Sequence, residues 1–237
     1  MQDFDILCFT ETHLDTNISN DNLCIEGYNS CFRKDRNSYG GGVMIYIANA
    51  IRACRRYDLE PNNTEILWIE IPQSTNSLLI CCVYRPPNSS GTFWEKLTWS
   101  IEKANDISSN IIVLGDLNVN FFNLSSTHEI HTIMNAYNLT NTIHAPTRIT
   151  HNTCSLIDPI LVSKNIQTYD SGTISHTLSD HKATFIYIHN NSESNVSYQR
   201  KVWDYKKANF EQLNSCLLYT SDAADDMQCV DLGGRRI

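Results

Sequence analysis

The sequence predicts an α+β fold in which two packed β-sheets are covered by helices. Most of the chain consists of short apolar runs, rich in β-branched residues and broken by polar turns, which is typical of strands. Two longer segments, Thr92 to Ile107 and Thr127 to Tyr137, instead carry apolar residues at helical spacing. Pairs of strands that alternate with helices favour a layered domain around a common core.

Each predicted strand is an apolar run that ends at a polar or glycine-rich turn. The Tyr39-Gly40-Gly41-Gly42 segment is such a turn, because it lacks the Lys-Ser/Thr pair that follows in a phosphate-binding loop. The predicted strands are Asp5 to Thr10, Val43 to Ala48, Glu65 to Ile71, Leu78 to Tyr84, Ile111 to Gly115, Ser155 to Val162 and Thr184 to Ile188.

The two helices are predicted from a broad apolar face on each segment. The first face carries Phe93, Leu97, Trp99, Ile101 and Ala104, and the second carries Ile130, Ile133, Met134 and Tyr137.

The chain has 237 residues, of which 41% are hydrophobic, and this suits one domain with a sizeable core. Its apolar runs stay well short of the roughly 20 residues that a membrane-spanning helix needs. The acidic start from Met1 to Asp5 is unlike a secretory signal peptide. Nine cysteines without a Cys-x-x-Cys pair favour a reducing compartment. We therefore expect an intracellular protein, nuclear or cytoplasmic, that is not secreted and has no membrane partner.

The net charge of −8 counts against binding of nucleic acid through a broadly basic surface. A bound divalent cation would offset local acidity, and basic residues cluster at Arg33 to Arg36 and at Arg52, Arg55 and Arg56. Both clusters are equally well explained as solvated charges on loops.

The end of the chain differs in style from the rest. Asn190 to Ser197 is polar and suggests a linker, and helical character resumes from Val202 to Leu213. From Leu217 onwards the sequence resembles translated adapter read-through, so it is excluded from the fold. We predict a domain over residues 1–189, a linker over residues 190–216 and an artefactual tail over residues 217–237.

Two of the strand ends carry an acid or a phenol that is suited to phosphodiester hydrolysis. Glu11 follows the first predicted strand, and a carboxylate there can hold Mg²⁺. Tyr84 and Arg85 close the run that begins at Leu78, where a phenol and a guanidinium can contact a phosphate. Taken alone, an ordinary strand-end Glu and aromatic packing at a sheet edge explain these residues as well.

Two further strand ends supply a water-activating pair and a proton-handling pair. Asp116 and Asn118 are two residues apart, so in extended backbone they face the same side. A carboxylate that activates water beside an amide that stabilises the charged transition state is a suitable pair for hydrolysis. His181 is the natural proton handler, and Asp158 can orient its imidazole. The alternative for Asp116 and Asn118 is a turn that favours Gly, Asp and Asn for backbone reasons. The alternative at the other strand end is a capping or turn pair, Ser179-Asp180, beside a surface histidine.

The order of these motifs makes chance unlikely, and with them the chain resembles the endonuclease/exonuclease/phosphatase superfamily, which includes apurinic endonucleases and pancreatic deoxyribonuclease. The resemblance covers about residues 3–189. Within the superfamily, the chain looks most similar to the endonuclease domain of LINE-type (non-LTR) retrotransposon polyproteins. Trp203 to Phe210 also resembles the linker before a reverse transcriptase. The motifs are Asp5-Ile6-Leu7-Cys8-Phe9-Thr10-Glu11-Thr12, Gly41-Gly42-Val43-Met44-Ile45-Tyr46, Val83-Tyr84-Arg85-Pro86-Pro87, Gly115-Asp116-Leu117-Asn118, Pro146-Thr147-Arg148, Ser155-Leu156-Ile157-Asp158 and Ser179-Asp180-His181.

The resemblance implies a four-layer α/β sandwich with the site at one rim. It implies Mg²⁺ binding by Glu11, with Mn²⁺ as an alternative ion, and support near the metal from Asp180. It also implies that Asp116 positions or deprotonates the attacking water, while Asn118 and Tyr84 contact the scissile phosphate.

The remaining implied roles are phosphate contact or proton transfer by His181, held by Asp158, and a DNA contact by Arg148. The superfamily opens with a strand that carries an active-site Asn, followed by a helix. Because the chain starts just before the Glu11 strand, we expect an N-terminally truncated domain. Pro159, directly after Asp158, is unusual within a strand.

The function that we expect is a Mg²⁺-dependent DNA endonuclease of retrotransposon origin, which nicks target DNA so that the 3′-hydroxyl primes reverse transcription. Its partners would be DNA and the reverse transcriptase domain of the parent polyprotein. The alternatives are a phosphatase or phosphodiesterase of the same fold, or a catalytically dead remnant. The site residues that are visible argue against decay, because none has been lost.

Overall fold

The computed structural model describes residues 4–74, 76–175 and 179–189, which belong to one compact unit, Met1–Ser192. The predicted linker, its helix and the tail lie outside the described residues. The helices and strands are β1 Ile6–Thr10, β2 Phe32–Lys34, β3 Val43–Ile47, β4 Cys54–Arg55, β5 Glu65–Ile71, β6 Leu78–Tyr84, α1 Thr92–Ile107, β7 Asn110–Asp116, α2 Glu129–Ala136, β8 Leu139–Asn141, β9 Arg148–Ile149, β10 Cys154–Ser155, β11 Ile160–Ser163, β12 Thr168–Ile174 and β13 Ala183–Ile188.

The centre of the fold is a six-stranded sheet with the order β4-β5-β6-β7-β11-β8. The β6–β7 pair is parallel and the other pairs are antiparallel, so the sheet is mixed. The parallel pair needs a crossover, which α1 supplies. Side chains of β6 alternate between two cores, one shared with the helices and one shared with a second layer of strands.

The helices cover one face of this sheet. The face of α1 that carries Phe93, Leu97 and Ile101 is buried against the sheet, and α2 contributes Ile130 and Ile133. Trp68 is fully buried in this core, and its polar ring nitrogen donates a hydrogen bond of 2.7 Å to a serine on α1. The apolar burial that orders the helices therefore also fixes the face of β5 and β6 on which they lie.

The second layer consists of two smaller antiparallel sheets, with the orders β1-β3-β2 and β12-β13. Val43, Ile45 and Ile47 of β3 are buried against the large sheet, while Met44 and Tyr46 face outwards under the segment between β1 and β2. Sheets packed on each other with helices outside confirm the predicted fold class. The described helices both lie against the large sheet.

One predicted strand is wrong and several were missed. The run from Ser155 to Val162 forms two strands, β10 and β11, because the intervening loop turns and hydrogen-bonds to the segment after β7, with Leu117 N donating to Ile157 O at 3.0 Å. Pro159 lies in that loop, where no ladder hydrogen bond is required of it. The missed strands are short or polar, namely β2, β4, β8, β9 and β12. Helix α2 begins at Glu129 because His128 caps it, with Nδ1 accepting from Ile130 N at 3.2 Å.

The close approach of β6 and β7 depends on Gly115. Its φ of 132° lies outside the range that L side chains adopt, and a Cβ there would lie 2.0 Å from the carbonyl oxygen of Val83. Glycine thus allows the two parallel strands to run side by side to their last residues, Tyr84 and Asp116.

We expect Gly115→Ala to lower the free energy of unfolding by roughly 3 kcal/mol or more, because it adds both backbone strain and a clash with Val83. Denaturant unfolding measures the change. The matched control is Gly91→Ala, since Gly91 has helical backbone angles and open space where the methyl group would stand. That control should be neutral or stabilising by up to about 1 kcal/mol. Equal losses in the two variants would contradict the role of Gly115.

Candidate active site

Three side chains stand in a row at the rim where β5, β6 and β7 meet. Glu65 is the register partner of Tyr84 on β6, and Tyr84 is the partner of Asp116 on β7. Cross-strand partners face the same side of a sheet, and here that side faces the second layer. The Tyr84 hydroxyl donates a hydrogen bond to the carboxylate of Glu11, just beyond β1, and so joins the two layers at the rim.

Glu11 lies in a tight turn with left-handed backbone, at a φ of 53°, and His13 repeats this at 54°. Such angles are uncommon for residues other than glycine and need support from the surroundings. The support comes from Gly40-Gly41-Gly42, the triglycine turn before β3. His13 N donates to Gly41 O at 2.9 Å, and Thr12 N donates to Gly42 O at 3.3 Å. The backbone next to Glu11 is therefore fixed by these hydrogen bonds, and the carboxylate of Glu11 is held by Tyr84.

Asp116 and Asn118 form a closed hydrogen-bonded unit at the end of β7. The Asn118 backbone N–H and side-chain amide donate to the two oxygens of Asp116, at 2.8 and 3.1 Å. The same amide donates to the carbonyl oxygen of Arg85 at 2.9 Å. Asn118 has a φ of 50°, so the left-handed turn brings its side chain back beside the carboxylate.

Burial governs the charge of Asp116, of which 4% is exposed. Loss of hydration raises the pKa of its carboxyl to about 7, and the negative charge of Asp158 adds to the rise. Burial also raises the pKa of the Tyr84 hydroxyl, with a further rise from Glu11, so this phenol stays protonated and acts as a donor. The rim therefore concentrates negative charge in a poorly hydrated place.

His181 is held by Asp158, whose two oxygens lie 3.1 and 3.0 Å from Nδ1. This hydrogen bond raises the pKa of the imidazole above its ordinary value and outweighs the lowering by burial. With Nδ1 bound in this way, Nε2 is the nitrogen left for a substrate.

Asp158 is positioned by Thr147, which the sequence analysis did not single out for a role. The Thr147 hydroxyl is fully buried and accepts from the backbone N–H groups of Ile157 and Asp158, at 3.0 and 3.2 Å. The sequence indicated Thr147 only as part of the Pro146-Thr147-Arg148 motif. Its hydrogen-bond partners lie about ten residues later in a loop, so spacing along the chain could not predict the contact.

Asp180 and Arg148 form a pair beside this group. Arg148 Nε donates to Asp180 Oδ2 at 2.7 Å, and the two side chains are 42% and 46% exposed. The guanidinium holds the pKa of the Asp180 carboxyl below its usual range. The structure thus places Asp180, expected near a metal, in an ion pair at the rim, with Arg148 close enough to feel the charges of Asp116 and Asp158.

Arg85 turns towards the helices. Its guanidinium lies 5.1 Å from the ring of Trp94, donates to the carbonyl oxygens of Leu117 and Ser89, and has a buried Nε without a hydrogen-bond partner among the described residues. Burial lowers its pKa. Successive residues at a strand end face opposite sides, so Tyr84 and Arg85 cannot both enter the same pocket. In this placement Arg85 supports the turn from Asp116 to Asn118 through its backbone and side chain.

The donor set at the rim fits a divalent cation. Ligand atoms of Asp116, Asp158 and His181 all lie within 4.8 Å of one another, and Asp116 also feels the charge of Glu11. A buried carboxylate whose ionisation is made more costly by a neighbouring carboxylate, as Asp116 is by Asp158, is stabilised by a nearby cation. Carboxylate oxygens are the ligands that hard cations prefer, so the residues present are suited to one.

The chain belongs to the Endonuclease/Exonuclease/phosphatase family, whose model matches residues 1–181. This confirms the superfamily that the motifs indicate, and it makes the rim the candidate active site of a phosphodiester hydrolase fold. A comparison with curated proteins gave no significant match.

Solved structures of the same fold include the endonuclease domain of TRAS1, a telomere-specific non-LTR retrotransposon, at 14% identity and a TM-score of 0.60, covering 71% of this chain and 83% of that one. The 3′-5′ exonuclease NExo from Neisseria meningitidis is 17% identical with a TM-score of 0.62, and the match covers 78% of this chain and 89% of that one. An AP endonuclease from Archaeoglobus fulgidus is 14% identical with a TM-score of 0.58, and the match covers 78% of this chain and 88% of that one.

We expect the His181 pKa of the metal-free protein to fall when Asp158 is changed to Asn, because the hydrogen bond to Asp158 is the largest cause of its rise. Titration of the imidazole signals by NMR in EDTA measures the shift. Asp180→Asn is the matched control, since it removes the same charge next to His181 but makes a smaller contribution. An equal fall in both variants would contradict the assignment.

The same raised pKa sets a pH dependence of stability in the metal-free protein. A histidine whose pKa is higher when folded stabilises the fold fully below its unfolded pKa of about 6.5, and the stabilisation is lost as the pH rises through the folded value. The contribution of His181 to the free energy of unfolding should therefore be constant below about pH 6.5 and decrease as the pH rises above that value, and Asp158→Asn should flatten that dependence.

We expect Thr147→Val to lower the free energy of unfolding by about 1–3 kcal/mol, because one buried and one partly buried N–H group lose their acceptor while the volume is kept. It should also lower the His181 pKa, since Asp158 is no longer fixed. Denaturant unfolding and the same NMR titration measure the two effects. Thr140→Val is the control, because Thr140 is an exposed strand residue whose hydroxyl donates one hydrogen bond, to the carbonyl oxygen of Val162. Equal losses in the two variants would remove the role given to Thr147.

Proposed function

We propose that the protein is a Mg²⁺-dependent DNA endonuclease of the retrotransposon type. The observation that carries the proposal is the grouping at one rim of a buried acid, Asp116, with the Asp158–His181 pair and the Tyr84–Glu11 pair. Together with the amide of Asn118 beside Asp116, this set combines a base, an amide and an imidazole for the phosphate, and a carboxylate for a cation.

The proposed roles follow from the hydrogen bonds. Asp116, with its raised pKa, orients and deprotonates the attacking water. The Asn118 amide, whose two N–H groups bond to Asp116 and to the Arg85 carbonyl, would exchange one of these hydrogen bonds for the scissile phosphate. His181, with Nδ1 on Asp158, presents Nε2–H to a phosphate oxygen, and its raised pKa favours this donor form.

Glu11 would hold the Mg²⁺ ion, with Mn²⁺ as an alternative ion, and Asp180 would support the site through Arg148. The ion would neutralise charge on the phosphate and help to ionise a water molecule. The Tyr84 hydroxyl donates to Glu11 and thereby keeps this carboxylate at the rim.

DNA is the proposed substrate. Support comes from the fold shared with the TRAS1 endonuclease domain and with NExo, whose structure is described as bound to a product DNA hairpin. We propose that Arg148, 42% exposed at the rim, contacts the strand. We infer a nick that leaves a 3′-hydroxyl for reverse transcription, with a reverse transcriptase domain as partner and the nucleus or cytoplasm as the place of action.

We expect the chain to nick supercoiled plasmid DNA in Mg²⁺ and not in EDTA. Asp116→Asn and His181→Ala should each lower the rate by about 10²–10⁴-fold, as is typical for loss of a general acid or base. Agarose gels that follow conversion to the open circle measure the rates. Asp106→Asn, which removes an exposed acid at the far end of α1, is the matched control and should keep full activity.

A folded chain that leaves the plasmid intact in every divalent ion would sink the endonuclease proposal. A panel of phosphate monoesters and phosphodiesters, run with the same variants, then separates the two alternatives. Turnover that depends on Asp116 means a phosphatase or phosphodiesterase of this fold, and no turnover means a remnant without activity.

A further inference from the structure

The triglycine turn beside the candidate site makes room for two charged side chains. A Cβ on Gly41, whose φ is 72°, would lie 2.1 Å from Glu65 Oε1 and 2.5 Å from Arg36 Cζ. A Cβ on Gly40 would lie 2.9 Å from Arg36 Nη2. The glycines therefore do more than reverse the chain, because their bare backbone is the surface against which Arg36 and Glu65 lie.

Glu65 is the buried member of this pair. Its side chain is 8% exposed, and Oε1 accepts from Gly42 N at 2.7 Å and lies 3.5 Å from Arg36 Nε. Burial raises the pKa of its carboxyl, and the charge of Arg36 opposes the rise. A buried carboxylate costs free energy unless it is bonded and paired, so its presence next to Tyr84 calls for a partner cation at this point of the rim.

Arg36 is the exposed member, with 39% of its side chain accessible. Its Nε donates to Gly40 O at 2.9 Å, and its guanidinium carbon lies 5.9 Å from the centre of the Tyr84 ring. Among the described residues its hydrogen bonds use Nε, which leaves the two terminal nitrogens available for another acceptor. The cation is thus fixed in position, partly hydrated and adjacent to the phenol that holds Glu11.

We propose that Arg36 binds a phosphate group of the nucleic-acid backbone on the Glu11 side of the candidate site, and that Glu65 and the triglycine turn hold it there. This inference rests on the proposed function, since it concerns the substrate of the same site. A guanidinium whose position is fixed before binding loses little freedom when it binds, and its planar fork matches phosphate oxygens. Carboxylates outnumber cations at the rim, so a substrate phosphate needs a fixed cation close by.

The alternative is that Arg36 only neutralises Glu65, and the salt dependence of binding distinguishes the two. Each phosphate that a protein cation neutralises releases counterions and contributes about one unit to the slope of log affinity against log salt. A cation that serves the fold alone contributes nothing to this slope. The experiment is binding of a short fluorescent DNA duplex to the full chain by anisotropy, in EDTA, over a series of potassium chloride concentrations.

We expect Arg36→Ala to weaken binding about tenfold and to lower the slope by about one. Arg36→Lys should restore the slope but recover affinity only in part, because lysine lacks the planar fork. The matched control is Arg52→Ala, which removes the same charge from an exposed position after β3, at the opposite end of the sheet from Glu11. It should leave the affinity and the slope nearly unchanged.

Loss of Arg36 also leaves Glu65 buried without its partner, which can weaken the fold. The double variant Arg36→Ala/Glu65→Gln removes that charge and restores a neutral interior. If Arg36 contacts phosphate, the double variant binds as weakly as Arg36→Ala and has the same low slope. Recovery of both quantities in the double variant, or equal behaviour of Arg36→Ala and Arg52→Ala, would overturn the inference.

The outcome is separable from that of the nicking assay. If the wild-type chain nicks DNA but Arg36→Ala binds and nicks like Arg52→Ala, the endonuclease proposal stands and the role of Arg36 falls. If the wild-type chain does not nick, the binding series still decides the role of Arg36. A selective loss of slope supports phosphate binding, and an unchanged slope, or no binding by the wild-type chain at all, rules it out.

Discussion

The candidate site depends on the parallel pairing of β6 with β7. Because the two strands run in register to their last residues, Tyr84 and Asp116 stand side by side, and Glu65 extends the row on β5. Gly115 is what allows the approach, since any side chain there would collide with the Val83 carbonyl. The second layer of strands then adds Glu11 from above the row, while the loop before β11 adds Asp158 and, through it, His181.

A second theme is the handling of charge. The rim gathers carboxylates in a place with little water, which raises the pKa of Asp116 and of Glu65 and tightens the hold on the His181 proton. Two arginines, Arg36 and Arg148, balance part of this charge while staying about two-fifths exposed. The balance is local, which reconciles a chain of net charge −8 with the anionic substrate that we propose.

The sequence is enough to predict those features that depend on neighbours along the chain. The bounds of α1, β5 and β6 agree to the residue, because each is a long unbroken pattern, helical in α1, alternating in β5 and continuously apolar in β6. Long-range contacts account for what was missed. The break before β11 depends on Thr147, and the row that contains Glu65 appears only once three strands are aligned. The turn of Arg85 towards the helices was readable, since it follows Tyr84 and must face the other way.

The hydrogen bond from Tyr84 to Glu11 determines at which stage of folding the site of such an enzyme becomes complete. Its donor belongs to the large sheet and its acceptor to the second layer, so the bond exists only after the two layers have docked. A chain that has formed its strands and helices but not yet closed the sandwich lacks an assembled site. A newly made nuclease of this design would therefore remain harmless to nucleic acid until its tertiary structure is complete.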